Sequence, residues 1–230
     1  HFASSPRNCW MHIIKSRSKF YTALGIVEAN LFYIPMSEAA IEFTFPGFFK
    51  SYHADETGSH GRFKNKIIAV GTHNRDYETL VKAATIAGVE VHIITNLKIN
   101  PPIEAAGVFW HDSLPEADFN SAIRDAKCIV IPLRVDNRAS GQMGCAIAMK
   151  MGKAVVTTRC ESVCDHILDG KTGFLYTNGS AEELAKVLRK VSGSTDALKR
   201  VGDNARKRER ALSAVASESI SRFLDRVSLR

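Results

Sequence analysis

Residues 140–144, Ser-Gly-Gln-Met-Gly, carry the types and spacing best suited to chemistry. They follow a short apolar run at 128–133 and a polar loop at 134–140, and they open an apolar segment that continues to Met151. Gly141 and Gly144 let backbone come close to a ligand, and Ser140 is a good helix N-cap. Free N–H groups at a helix start, with the helix dipole behind them, suit a phosphate. The loop 134–144 is therefore the expected ligand mouth.

The elements that must hold this mouth follow from the apolar pattern. The run 128–133 has the length and β-branched content of a buried strand. The segment after Ser140 is apolar at almost every position, so its helix is expected to be buried on several sides. Gly152 is placed to end that helix in a left-handed cap, and 154–158 is again strand-like. Strand, helix and strand make a right-handed parallel βαβ unit, with ligands bound beyond the carboxyl ends of its strands. The same alternation starts at Lys66. A strand at 67–70 ends at Gly71, and a loop at 72–77 leads to a helix at 78–88 with Leu80, Ala83, Ala84 and Ala87 on one face. Strands at 89–95 and 108–110 and a helix at 117–126 complete the first half. Beyond the βαβ unit come a short helix at 164–168 and a strand at 173–176. Ser180 and Glu183 read as a capping box, and amphipathic helices at 196–210 and 212–227 close the chain. Alternation at this pace is an α/β, Rossmann-like, doubly wound parallel sheet.

Composition narrows the classes. The chain has 230 residues, 45% hydrophobic and 24% charged, with a formal net charge of +7. No run approaches a membrane span, nothing resembles a secretory signal, and the chain starts at His1, which reads as a fragment or a processed chain. The positive charge is read as solubility and affinity for anionic small molecules, with peripheral contact to anionic lipid as the alternative; no nucleic-acid motif is present. Cys9, Cys128 and Cys145 sit in apolar or βα contexts. Cys160 and Cys164 lack a matching Cys or His pair, so no metal site is expected, and the pattern fits a reducing, cytoplasmic setting. Residues 1–62 are irregular: a basic start, five aromatics between Phe43 and Tyr52 read as packing, and a polar linker. Residues 63–210 read as the Rossmann-like domain and 211–230 as a C-terminal helix.

Several motifs in order resemble the donor-binding C-terminal domain of GT-B glycosyltransferases, in particular the large retaining family numbered four. They are Gly141-Gln142, Ala148-Met149, Gly152-Lys153, Val155-Val156, Ile167, Asp169-Gly170 and Thr172-Gly173, preceded by Val70-Gly71 and Arg75-Asp76-Tyr77 and followed by Leu184-Ala185 and Gly202-Asp203-Asn204-Ala205-Arg206. The likeness covers about residues 66 to 226. It implies a nucleoside diphosphate sugar bound between two Rossmann-like domains, and transfer of the hexosyl group with retention to a saccharide, lipid or protein acceptor, as in polysaccharide biosynthesis. No cofactor or essential metal is implied. Arg75 would be a diphosphate cation beside Gly71 and Asp76. Ser140, Gly141 and Gln142 would form the phosphate and sugar loop, with Arg138 close by, and Trp110 and His111 would lie near the base. The competing readings are a surface ion pair of Arg75 with Asp76 or Glu78, edge packing for Trp110 and His111, and a solvent-facing Gln142.

Two departures stand out. The family carries two glutamates separated by seven residues, the second facing the ribose; here those positions are Ala139 and Ile147. The residues before 62 are also shorter than an acceptor domain, and read as the remnant of a truncated one. The alternatives are a non-catalytic nucleotide-sugar-binding module acting with a partner chain or in a dimer, and an interaction domain that uses the aromatics at 43–49.

Overall fold

The computed structural model describes residues 10–49, 61–97, 104–135, 140–193 and 195–228. Cys9, Arg138 and Ala139 lie outside them. Two short strands, β1 (Trp10–His12) and β2 (Leu31–Tyr33), pair with each other in parallel. The apolar runs that follow become β3 (Ile67–Val70), β4 (Val91–Ile94), β5 (Val108–His111), β6 (Cys128–Ile131), β7 (Val155–Thr158) and β8 (Gly173–Tyr176). Among the described residues these form one parallel sheet in the order β5-β4-β3-β6-β7-β8. Every residue of β3, β6, β7 and β8 is buried. Strands covered on both faces read as continuous apolar runs, which is why the sequence placed them.

The helices are α1 (Ser18–Ala23), α2 (Glu38–Thr44), α3 (Tyr77–Ala87), α4 (Glu116–Asp125), α5 (Gln142–Lys150), α6 (Glu161–Cys164), α7 (Ala181–Gly193) and α8 (Thr195–Ser228). One face of the sheet packs α3 and α7 through Leu80, Ala84, Leu184 and Leu188. The other packs α4 and α5 through Ile123, Ala146 and Met149, with Ile41 of α2 and Phe49 in the same core. The chain moves outward from β3 to β5, then returns to β6 and continues to β8. Direction reverses between β3 and β6, which leaves a crevice beyond their carboxyl ends.

Three local expectations are corrected. The cap of α5 is Gly141 at φ 83°, with no side-chain hydrogen bond, and Ser140 does not cap it. The short helix runs Glu161–Cys164, ahead of the expected 164–168. The two closing helices are one, the 34-residue α8, because nothing between Arg210 and Leu212 breaks it. At α7, Ser180 Oγ accepts the Glu183 N–H at 3.3 Å as expected, whereas the Glu183 carboxylate takes the Thr177 N–H at 2.8 Å. Among the described residues no helix is long and apolar enough to cross a membrane.

The first half of α8 lies on the sheet domain. A Cβ on Gly202 would fall 2.0 Å from the Gly152 carbonyl oxygen, so only glycine allows this approach. The second half buries Ala216 and Ile220 against Phe32, Ile34 and Ala40. One helix thus holds the N-terminal elements against the domain that carries the crevice.

Candidate functional site

The loops after β3 and β6 are zipped together across the crevice. The Asp76 N–H donates to Pro132 O at 2.9 Å, the Arg134 N–H donates to Asn74 O at 3.2 Å, and Arg75 bridges Leu133. This pairing fixes the Arg75 backbone. Its side chain folds back over β3, where Nε donates to Val70 O at 3.0 Å and Nη1 to His73 O at 2.6 Å. A Cβ on Gly71, which sits at φ 108°, would fall 2.3 Å from Arg75 Nη2. Glycine is therefore required for the guanidinium to lie where it does. Burial pulls the Arg75 pKa below its ordinary 12.5, and the titratable groups that oppose this shift, Tyr77 and Cys145, are not carboxylates. An arginine stays cationic far above neutrality, so this is a half-buried positive charge whose hydrogen-bond partners among the described residues are backbone carbonyls.

A cavity of about 930 Å³ opens at this point. Gly71 and Arg75 form its floor, and Met143, Gly144 and Ile147 of α5 form one wall. Glu116 and Phe119 of α4 and the loop 44–48 after α2 complete it. The volume is that of a drug- or nucleotide-sized site. The first turn of α5 reaches the cavity, and among the described residues no side chain caps its N–H groups, so its dipole and Arg75 present positive potential to the same space. Ile147 is 5% exposed, so α5 offers an apolar surface at that position.

The remaining candidates are used differently. Asp76 is the N-cap of α3: Oδ1 accepts the Thr79 N–H at 3.2 Å, Oδ2 accepts the Thr79 hydroxyl at 2.7 Å, and Arg134 lies 3.9 Å away. Ser140 Oγ lies 3.3 Å from Asn74 Nδ2, which donates to it, and its carbonyl accepts from Ser162 Oγ at 3.0 Å. Gly141 would drive a Cβ to 2.8 Å from Leu133, so the turn into α5 is closely packed. Gln142 is buried, with Nε2 donating to Ile13 O at 3.4 Å, and ties the N-terminal elements to α5. Trp110 packs edge-on against Tyr77 on the outer strand.

His111 belongs to a chain of its own at that sheet edge. Arg62 can only donate, so His111 Nδ1 at 3.0 Å is an acceptor and Nε2 carries the proton. That N–H faces His92 Nδ1 at 2.9 Å, and His92 Nε2 in turn donates to Glu90 at 2.8 Å. In this arrangement the donors run one way. The cavity therefore gathers Gly71, Arg75 and Gly144 from the sequence candidates. Glu116, Phe119, Phe45 and Phe48 come from segments whose local pattern carried no sign of a site. Among the described residues no three His, Cys, Asp or Glu side chains are arranged to hold a metal.

Comparison with known proteins agrees with this architecture. Residues 59–193, more than half of the chain, match the family model for glycosyl transferases group 1. No curated protein matches at the sequence level. Staphylococcus aureus TarM, solved with Fondaparinux, alpha-GlcNAc-glycerol and UDP, superposes with a TM-score of 0.71 at 16% identity over 96% of this chain and 44% of that one. Anabaena HepE with UDP and glucose gives 0.66 at 11% identity over 95% of this chain and 63% of that one. Sucrose-phosphate synthase of Thermosynechococcus elongatus gives 0.66 at 15% over 96% and 59%. The chain thus spans less than two thirds of each of these structures, and at such identities the likeness is one of fold. With the family model laid over the sheet, the Arg75 loop and the start of α5, the chain belongs to the group 1 glycosyl transferases, of GT-B type.

Proposed function

We propose that the chain binds a nucleoside diphosphate sugar in the cavity beside Arg75 and serves transfer of its hexosyl group to an acceptor with retention at the anomeric carbon. The observation that carries this reading is a half-buried guanidinium, paired among the described residues with backbone carbonyls and no carboxylate, on a cavity that also receives the start of α5, where the cap residue is Gly141. Departure of a nucleoside diphosphate places negative charge on its oxygens as the glycosidic bond breaks. Fixed positive potential at that place lowers the barrier without reorganisation. Arg75 and the α5 N-terminus supply that potential from the chain itself. That HepE was solved with UDP and TarM with UDP supports a nucleotide as the ligand here.

Calorimetric titration with UDP, GDP and ADP, and with UDP-glucose and GDP-mannose, tests the reading. Saturable binding of at least one nucleotide at micromolar levels is expected, followed by activity with candidate acceptors. Absence of binding to all five would overturn it.

A further inference from the structure

The wall of the cavity facing α4 and α5 is aromatic and rigidly built. Phe45 ends α2, and its side chain is 51% exposed although it lines the cavity. The loop that carries it is held by one carboxylate: Glu42 accepts the Gly47 N–H at 2.8 Å and the Phe49 N–H at 2.6 Å. Phe48 packs edge-on against Phe49, with centroids 5.2 Å apart, and Phe49 is 2% exposed with the Lys150 ammonium 4.8 Å over its ring. Phe119, Met143 and Ile147 line the same cavity. Leaving a large aromatic half-exposed costs hydrophobic stabilisation that burial would have returned, and a loop with two backbone N–H groups tied down is not free to collapse over it.

We propose that Phe45 and Phe48 are the stacking platform for the base of the bound nucleotide, and that the base is held by its flat face more than by its edge. The inference rests on the function proposed above and goes beyond it by assigning the nucleoside end of the ligand. One molecule would use both features of the cavity lining: its diphosphate at Arg75 and its planar ring against Phe45 and Phe48. Every base offers a π face, so a site of this kind tolerates several bases.

Titration of the full chain with inorganic pyrophosphate, UDP, ADP and GDP tests this. In the wild type all three nucleotides should bind more tightly than pyrophosphate and within about tenfold of one another. Phe45→Ala should weaken all three by about five- to 150-fold, the range for loss of one base–aromatic stack, and leave pyrophosphate unchanged. Phe45→Trp should restore or exceed wild-type affinity. Because Phe45 is half-exposed, these variants are expected to fold, and their thermal midpoints check that. Nucleotide affinities untouched by Phe45→Ala, or no tighter than pyrophosphate in the wild type, overturn the stacking assignment while leaving the phosphate site standing. Absence of binding by pyrophosphate and nucleotides alike overturns the phosphate site and the platform together.

Discussion

Gly71 and Arg75 form one unit. The guanidinium occupies the space that any side chain at 71 would need, so the residues act through each other. Arg75→Ala should weaken nucleoside diphosphate binding by about 1.5–3 kcal/mol, the range for a hydrogen bond to a charged group. Gly71→Ala should lose a similar amount by displacing the same group, with the double variant no worse than either single one. Calorimetry on the three variants checks this, and additive losses would show two independent contributions. Buried histidines set a second expectation. His166 is fully buried, with Nε2 donating to Met36 O at 2.6 Å, and burial draws its pKa below 6.5. His111 is lowered too, by burial first and then by Arg62 and His92. Both are neutral when folded, whereas an unfolded chain titrates near the ordinary value of about 6.5. Between the two values the unfolded chain binds more protons, so stability is full above about pH 6.5 and falls as the pH drops towards the folded values. Denaturant midpoints should decline from about pH 7.5 to about pH 5.5, and His166→Gln should flatten that decline.

At the scale of elements, α2 matters most because the platform loop hangs from its end. Its three leading N–H groups are all satisfied, two of them from α8: Glu209 takes the Glu38 N–H at 2.8 Å and Ser213 takes the Ala39 N–H at 3.0 Å, while Ser37 takes the Ala40 N–H at 3.4 Å. Glu209 is 1% exposed. Glu209→Ala strands a buried donor, so a loss of about 1–3 kcal/mol in unfolding free energy is expected, with Glu209→Gln milder because an acceptor remains. Urea unfolding measures it, and nucleotide affinity should fall with it as α2 loosens. These contacts explain what the sequence could convey. Fully buried strands announce themselves, and Gly88 and Gly152, both left-handed at helix ends, were placed by local chemistry alone. Residue 147 was legible as a departure from the family pattern. The Phe45 wall was not legible, because partners about 170 residues away hold it in place, and an aromatic cluster reads locally as packing. Ser140 misled for the opposite reason: its type suits a cap, but the left-handed turn at Gly141 took the position.

At the scale of the molecule, α8 decides whether the cavity has two sides. Its first half is locked to the sheet domain by the Gly202 contact and by Arg206, which donates to Lys150 O at 3.2 Å and to Met151 O at 2.9 Å. Its second half holds β2 and α2 through Ala216, which is fully buried. The core on the α3 and α7 face is built without the N-terminal elements, so loss of the second contact should loosen those elements and leave the sheet folded. Ala216→Asp would place an unpaired carboxylate between Phe32 and Ile34, a cost of several kcal/mol that this small cluster cannot absorb. Limited proteolysis of that variant should cut within residues 10–49 while a fragment containing residues 63–210 resists. Pyrophosphate, which needs only Arg75 and the start of α5, should bind within a few-fold of wild type. Nucleotides should lose the advantage they hold over pyrophosphate, because the aromatic wall leaves with α2. If proteolysis and nucleotide affinity both stayed as in the wild type, α8 would not be the brace that closes the cavity.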